Sequence, residues 1–96
     1  MKTGIQLIAE ERQEQIEKHY RTVETDALFN NLGQLRKAAV ALICSHGQGD
    51  ISELPSEWSD DSCLKLFSKT YYHRLVIAGA LIAAEIDRLN SIDATK

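Results

Sequence analysis

The chain has 96 residues, 44% of them hydrophobic and 26% charged, with a formal net charge of −3. That length makes a single domain, residues 1–96, with a modest core. The acidic balance excludes a general nucleic-acid binder, which needs a basic surface. Glu10 and Glu11 arrive before any long apolar run, which argues against a signal peptide. The apolar run from Leu75 to Ala84 is shorter than the roughly 20 residues a bilayer span requires. No membrane partner is expected, and the expected compartment is the cytoplasm.

The first predicted helix begins at Thr3. Thr3 and Gln6 have the spacing of a capping box, in which hydroxyl and amide satisfy each other's backbone N–H groups. Helical periodicity then puts Ile5, Ile8, Ala9, Ile16 and Tyr20 on one stripe. Arg12 falls in the middle of that stripe, with Gln15 and His19 on its flank. Glu10, Glu11, Glu14 and Glu17 read mostly as a solvated face. Residues 22–30 read as a turn or a short helical piece.

Asn31 and Gln34 repeat the capping-box spacing and predict a second helix. Its buried stripe is Leu28, Leu32, Leu35, Ala38, Ala39, Leu42 and Ile43, and Gly47 is its natural stop. The polar connection from His46 to Trp58 is long for a helix–helix loop. It holds Gly47, Gly49, the only proline (Pro55) and the only tryptophan (Trp58). Ser59 can cap a short third helix, with Asp60 and Asp61 favourable in its first turn. That helix would bury Leu64, Leu66 or Phe67.

The fourth helix is expected over about residues 70–90. A helical wheel assigns Tyr71, Leu75, Ala78, Gly79, Ile82, Ile86 and Leu89 to its core face. Val76, Ile77 and Ala80 then lie away from the core. An apolar face with nothing to cover it marks a partner surface, so a homo-oligomer is expected. The fold class is all-α: a small bundle of three long helices and one short one, completed by homo-oligomerisation.

Arg12 on an apolar stripe needs an anion, because an unpaired buried guanidinium is very costly. Two readings stand. Arg12 forms a structural salt bridge with Glu85, or Arg12, Arg74, Arg88 and Lys37 form a phosphate clamp. Arginine suits the clamp because its planar fork binds phosphate oxygens bidentately. Tyr71-Tyr72-His73-Arg74 mixes aromatic and basic groups, as a base-stacking and phosphate-binding surface does. Cys44 and Cys63 read as free thiols buried as small hydrophobes. Cys44-Ser45-His46 matches no zinc spacing, so no metal site is expected. The Gly47–Gly49 stretch lacks the lysine and hydroxyl of a phosphate loop. No nucleophile–base pattern stands out, so no catalytic residue and no cofactor are assigned, and the chain leans away from being an enzyme.

Glu10-Glu11 followed by Glu14 has the first spacing of the all-helical magnesium-dependent nucleotide pyrophosphohydrolases. Their second element, a distant Glu-x-x-Asp, is missing. Glu85-Ile86-Asp87 has the wrong spacing to aim two carboxylates at one ion.

Two segments carry a broader resemblance: Leu7-Ile8-Ala9-Glu10-Glu11-Arg12-Gln13-Glu14-Gln15-Ile16, and Ala78-Gly79-Ala80-Leu81-Ile82-Ala83-Ala84-Glu85-Ile86-Asp87-Arg88-Leu89. They resemble a family of small proteins encoded by bacteriophages and prophages. Such proteins have an acidic turn, a segment like Gly33-Gln34-Leu35 followed by Ala38-Ala39, and a loop with proline and tryptophan. Here Asp26, Ala38-Ala39, Pro55 and Trp58 occupy those places. Gln34 departs from the acid expected there, and the loop is poor in proline and tryptophan. The resemblance implies phage context and not a reaction. It suggests a counter-defence protein in the host cytoplasm that binds and sequesters a nucleotide-type immune signal without catalysis. The candidate ligand-binding residues are Arg12, Gln15, Trp58, Tyr72, Arg74, Glu85 and Arg88. A pyrophosphohydrolase-like enzyme and a protein–protein inhibitor of a host factor are the alternatives.

Overall fold

The computed structural model describes residues 1–19, 22, 24–26, 30, 33–44, 54–56 and 58–92. Among these the chain is helical, without strand. The helices are α1 (Gly4–His19), α2 (Gln34–Cys44), α3 (Asp60–Phe67) and α4 (Tyr71–Ile92). The expected cap at Asn31, the stop at Gly47, and Tyr20, Leu28, Leu32 and His46 lie outside the described residues. Among the described residues no helix is long and apolar enough to cross a membrane.

The capping reading holds at α1. Thr3 N–H donates to Gln6 Oε1 at 2.8 Å, and Gln6 N–H donates to Thr3 Oγ1 at 3.2 Å. A second reciprocal pair precedes Asp26: Thr22 N–H donates to Thr25 Oγ1 at 2.9 Å and Thr25 N–H to Thr22 Oγ1 at 3.2 Å. That pair starts the helical residues 24–26. Gly33 lies immediately before α2 with φ of 83°, a conformation that disfavours any residue with a Cβ. Asp60 and Asp61 occupy the first turn of α3, where the helix dipole favours anions. Thr70 Oγ1 accepts from His73 N–H at 3.2 Å and starts α4.

α4 is the spine, contacting both α2 and α1. Its inner side and α2 form a dry core of Leu35, Ala38, Ala39, Ala41 and Leu42 with Ile77, Ala78, Leu81 and Ala84. Leu54, Cys63 and Phe67 complete that core, with Trp58 and Leu66 packed against it. The small residues on both helices let the backbones approach closely.

This arrangement corrects the expected orientation of α4. Tyr71, Leu75, Ile82, Ile86 and Leu89 are exposed, whereas Ile77 and Ala80 are buried. The helix is apolar around nearly its whole circumference, so bulk alone misplaced its core side. The inward side is the one lined by alanines and arginines. Ala78 is buried as expected, and Gly79 meets α1: a Cβ there would fall 2.6 Å from Ile8 Cδ1. Ile5, Ile43 and Cys44 are also exposed, against expectation; of the three side chains offered for burial on α3, Phe67 is buried and Leu64 exposed, and both cysteines are free.

Candidate functional site

A half-open cleft of about 370 Å³ lies where α1, α3 and α4 meet. Glu11, Glu14 and Gln15 line it from α1, Lys65 and Leu66 from α3, and His73, Ile77 and Leu81 from α4. Trp58 precedes α3 and Lys69 lies between α3 and α4; both also face the cleft. Glu11 and Gln15 are one helical turn apart, so both reach the same side of α1. The floor is apolar, from Ile77, Leu81, Leu66 and Trp58. The polar groups are segregated: oxygen acceptors on α1, amines and an imidazole on the α3–α4 side. Glu11 Oε1 and His73 Nε2 face each other at 3.9 Å.

Gln15 is the most informative member. Its side chain is 3% exposed, and its Oε1 is buried with no hydrogen-bond partner. Leaving a buried acceptor unsatisfied costs about 1–3 kcal/mol, so such a group in a cleft wall calls for explanation.

Trp58 is held by a relay of side chains. Its indole N–H donates to Asn30 Oδ1 at 3.1 Å, and Asn30 Nδ2 donates to Asp26 Oδ1 at 2.8 Å. Asp26 is fully buried. Arg88 lies close enough for the Asp26 charge to act on it. The hydrogen bond to Glu85 pushes the Arg88 guanidinium above the ordinary arginine value; loss of solvent opposes the shift, and the charges of Glu85 and Asp26 add to it. The relay fixes the plane of the ring that borders the cleft.

The arginines lie elsewhere than in an open clamp. Arg12 Nη2 approaches Asp87 Oδ2 at 3.3 Å, and Arg88 Nε donates to Glu85 Oε1 at 2.7 Å. Thus Arg12 meets Asp87 rather than the expected Glu85, which is taken by its neighbour one turn along α4. Arg74 is 2% exposed, with its guanidinium 6.0 Å from the centre of the Tyr71 ring. None of these three guanidiniums lines the cleft, and Lys37 is exposed on α2. Tyr72 is exposed on the outward side of α4. Of the residues singled out by sequence, the cleft therefore brings together Gln15 and Trp58, while Arg88 and Glu85 stand behind Trp58 through Asp26.

Sequence reasoning missed Lys65 and Lys69, and it grouped His73 with Tyr71, Tyr72 and Arg74 rather than with these lysines; the three line the cleft together. They recur every fourth residue, a helical spacing, but the break between α3 and α4 falls inside the run and hides it. Glu11 and Glu14, read as solvated, face the cleft. Among the described residues no group of three His, Cys, Asp or Glu side chains is placed to hold a metal ion.

No family model, no curated protein and no solved structure matches this chain.

Proposed function

We propose that the protein binds a nucleotide-type small molecule in the α1–α3–α4 cleft and holds it without chemical change. In the phage context suggested by the sequence, this is sequestration of a host immune signal. The observation that carries the reading is the buried, unsatisfied Gln15 Oε1 in a cleft bordered by Trp58. A primary amide offers an acceptor and a donor side by side, which suits the edge of a nucleobase. An indole suits the face of the same base, and stacking of this kind is worth about 1–3 kcal/mol per base. Lys65, Lys69 and His73 supply cationic or donor groups for a phosphate at the other end, replacing the arginine clamp. The volume is near the lower end of the roughly 300–1,000 Å³ range of ligand pockets, which suits one nucleotide unit per cleft.

Nucleotide release from the purified, denatured protein, read by mass spectrometry, tests this directly. Calorimetry against linear and cyclic nucleotides should then find a ligand that is recovered intact. Trp58→Leu should weaken its binding at least tenfold, consistent with the stacking energy. No binding to any nucleotide class overturns the reading. Turnover with magnesium moves it to a pyrophosphohydrolase-like enzyme, for which Glu11 and Glu14 in the same cleft are the motive. Capture of one defined host protein with no nucleotide moves it to an inhibitor.

A further inference from the structure

Most of the charges that line the cleft already have an opposite charge beside them. Lys65 Nζ lies 3.3 Å from Asp61 Oδ2, one turn back on α3. Glu14 Oε1 lies 3.6 Å from Lys18 Nζ, one turn on along α1. Glu11 Oε1 faces His73 Nε2 across the cleft at 3.9 Å, an ion pair only when the imidazole is protonated. Lys69 remains. It is exposed, and among the described residues its ammonium meets no carboxylate. With the imidazole neutral, the cleft is therefore balanced, Glu11 against Lys69. The charges are also placed toward one end. Along α4 the lining runs from His73 through Ile77 to Leu81, about 12 Å at the helical rise. Lys69 stands just before α4, at the His73 end. Trp58 is held through Asn30 and Asp26, whose charge reaches Arg88 near the opposite end of α4.

Resting on the nucleotide reading of this cleft, we propose that it selects a nucleotide bearing one phosphate group, as a monoester or a diester, and rejects polyphosphates. Lys69 and His73 hold that phosphate, and Glu11 limits the charge the cleft accepts. A phosphomonoester carries about −1.5 to −2 at pH 7, and a diester carries less. One ammonium and an imidazole able to take up a proton answer that charge. Each further phosphate has to face Glu11 or draw Lys65 away from Asp61. The Glu11 side chain is only 16% exposed, so water and salt screen its repulsion poorly. Among the described residues no arginine lines the cleft, so the bidentate forks that suit a run of phosphates are not at hand.

Calorimetry of the full chain in EDTA tests the proposal. The probes are the nucleoside, 5′-monophosphate, 3′,5′-cyclic monophosphate and triphosphate of each ribonucleotide base. For the base that binds, the monophosphate or its cyclic form should bind about tenfold tighter than both the nucleoside and the triphosphate. Which of the two is tighter tells a monoester site from a diester site. Lys69→Met should bring the monophosphate down to the affinity of the nucleoside, which itself stays unchanged. Glu11→Gln should raise triphosphate affinity about threefold, again with the nucleoside unchanged. Glu14→Gln, at an exposed position on the same wall, serves as the second variant should Glu11→Gln misfold. A triphosphate that binds as tightly as the monophosphate, or a monophosphate no tighter than its nucleoside, overturns the proposal and leaves the nucleotide reading in place. Absence of binding by every nucleoside and nucleotide overturns both.

Discussion

The two seams along α4 are built on opposite principles. Against α2 the contact is dry and alanine-rich, with leucines filling the remaining space. Against α1 it carries Arg12, Glu11, Gln15 and His73, with a close apolar approach at Ile8 and Gly79. A seam of small apolar residues is efficient at holding two helices together, and the buried polar side chains on these two helices, Gln34, Arg74 and Arg88, do not line the cleft. The polar seam contributes less cohesion and keeps an unsatisfied amide. The apolar contacts that hold the helices together are thus separate from the polar groups that line the cleft.

The sharpest test of that separation is Leu42→Ala. Leu42 is fully buried in the dry core, and its truncation should lower unfolding free energy by about 3 kcal/mol. Urea denaturation reads the loss. A change below about 1 kcal/mol would show that the α2 seam is not the principal source of stability.

Arg88→Met comes next. It leaves Glu85, only partly exposed, without its partner at 2.7 Å, and should cost about 3 kcal/mol. Arg88→Met combined with Glu85→Leu should recover most of that, since buried pairs are replaceable by apolar residues. If the double variant is no better than the single one, the role of Arg88 toward Asp26 outweighs its pair with Glu85.

At the polar seam, Gly79→Ala should cost about 1–2 kcal/mol by overpacking. The atom in its way is the end of the Ile8 side chain, which can turn aside. A larger loss would mean that α1 is held as rigidly as α2.

Gln15→Leu should move stability in the opposite direction. Removing a buried acceptor that has no partner should be neutral or stabilising by about 1 kcal/mol, while nucleotide binding is lost. Lost stability would assign Gln15 to the structure and not to a ligand.

The smallest expected effect is on pH. Burial pushes the Cys63 thiol up, and Asp60 adds to the shift. A folded-state value raised above the unfolded one means that the folded chain retains the proton longer. The stabilisation is fully present below the ordinary thiol value of about 8.5 and is lost as pH rises through the raised folded value. Cys63→Ala should flatten that alkaline limb in thermal melts, whereas replacing the exposed Cys44 by serine should not.

Helix positions were legible because caps are local. Thr3 with Gln6, and the acidic turn at Asp60, depend on residues within one turn. The rotation of α4 was not legible, because Leu75, Ile82 and Ile86 on one side rival Ile77, Leu81 and Ala84 on the other. What decides between them is the alanine row of α2, a long-range contact. The partner of Arg12 was misread for a similar reason. Glu85 reaches Arg88 three residues ahead on its own helix, and that local pair leaves Asp87 to α1. Gln15 and Trp58 were legible as chemistry, but their shared cleft was not, since 43 positions of sequence separate them.

The anchoring of Trp58 has a practical consequence. It is the chain's only tryptophan, its indole N–H is engaged, and its ring borders the cleft. The protein therefore carries its own optical reporter. Emission excited at the indole band comes from one chromophore in one environment, so quenching or a spectral shift during titration reads occupancy of that cleft without any label. Asn30→Ala would free the indole N–H and shift the unliganded spectrum before any ligand is added.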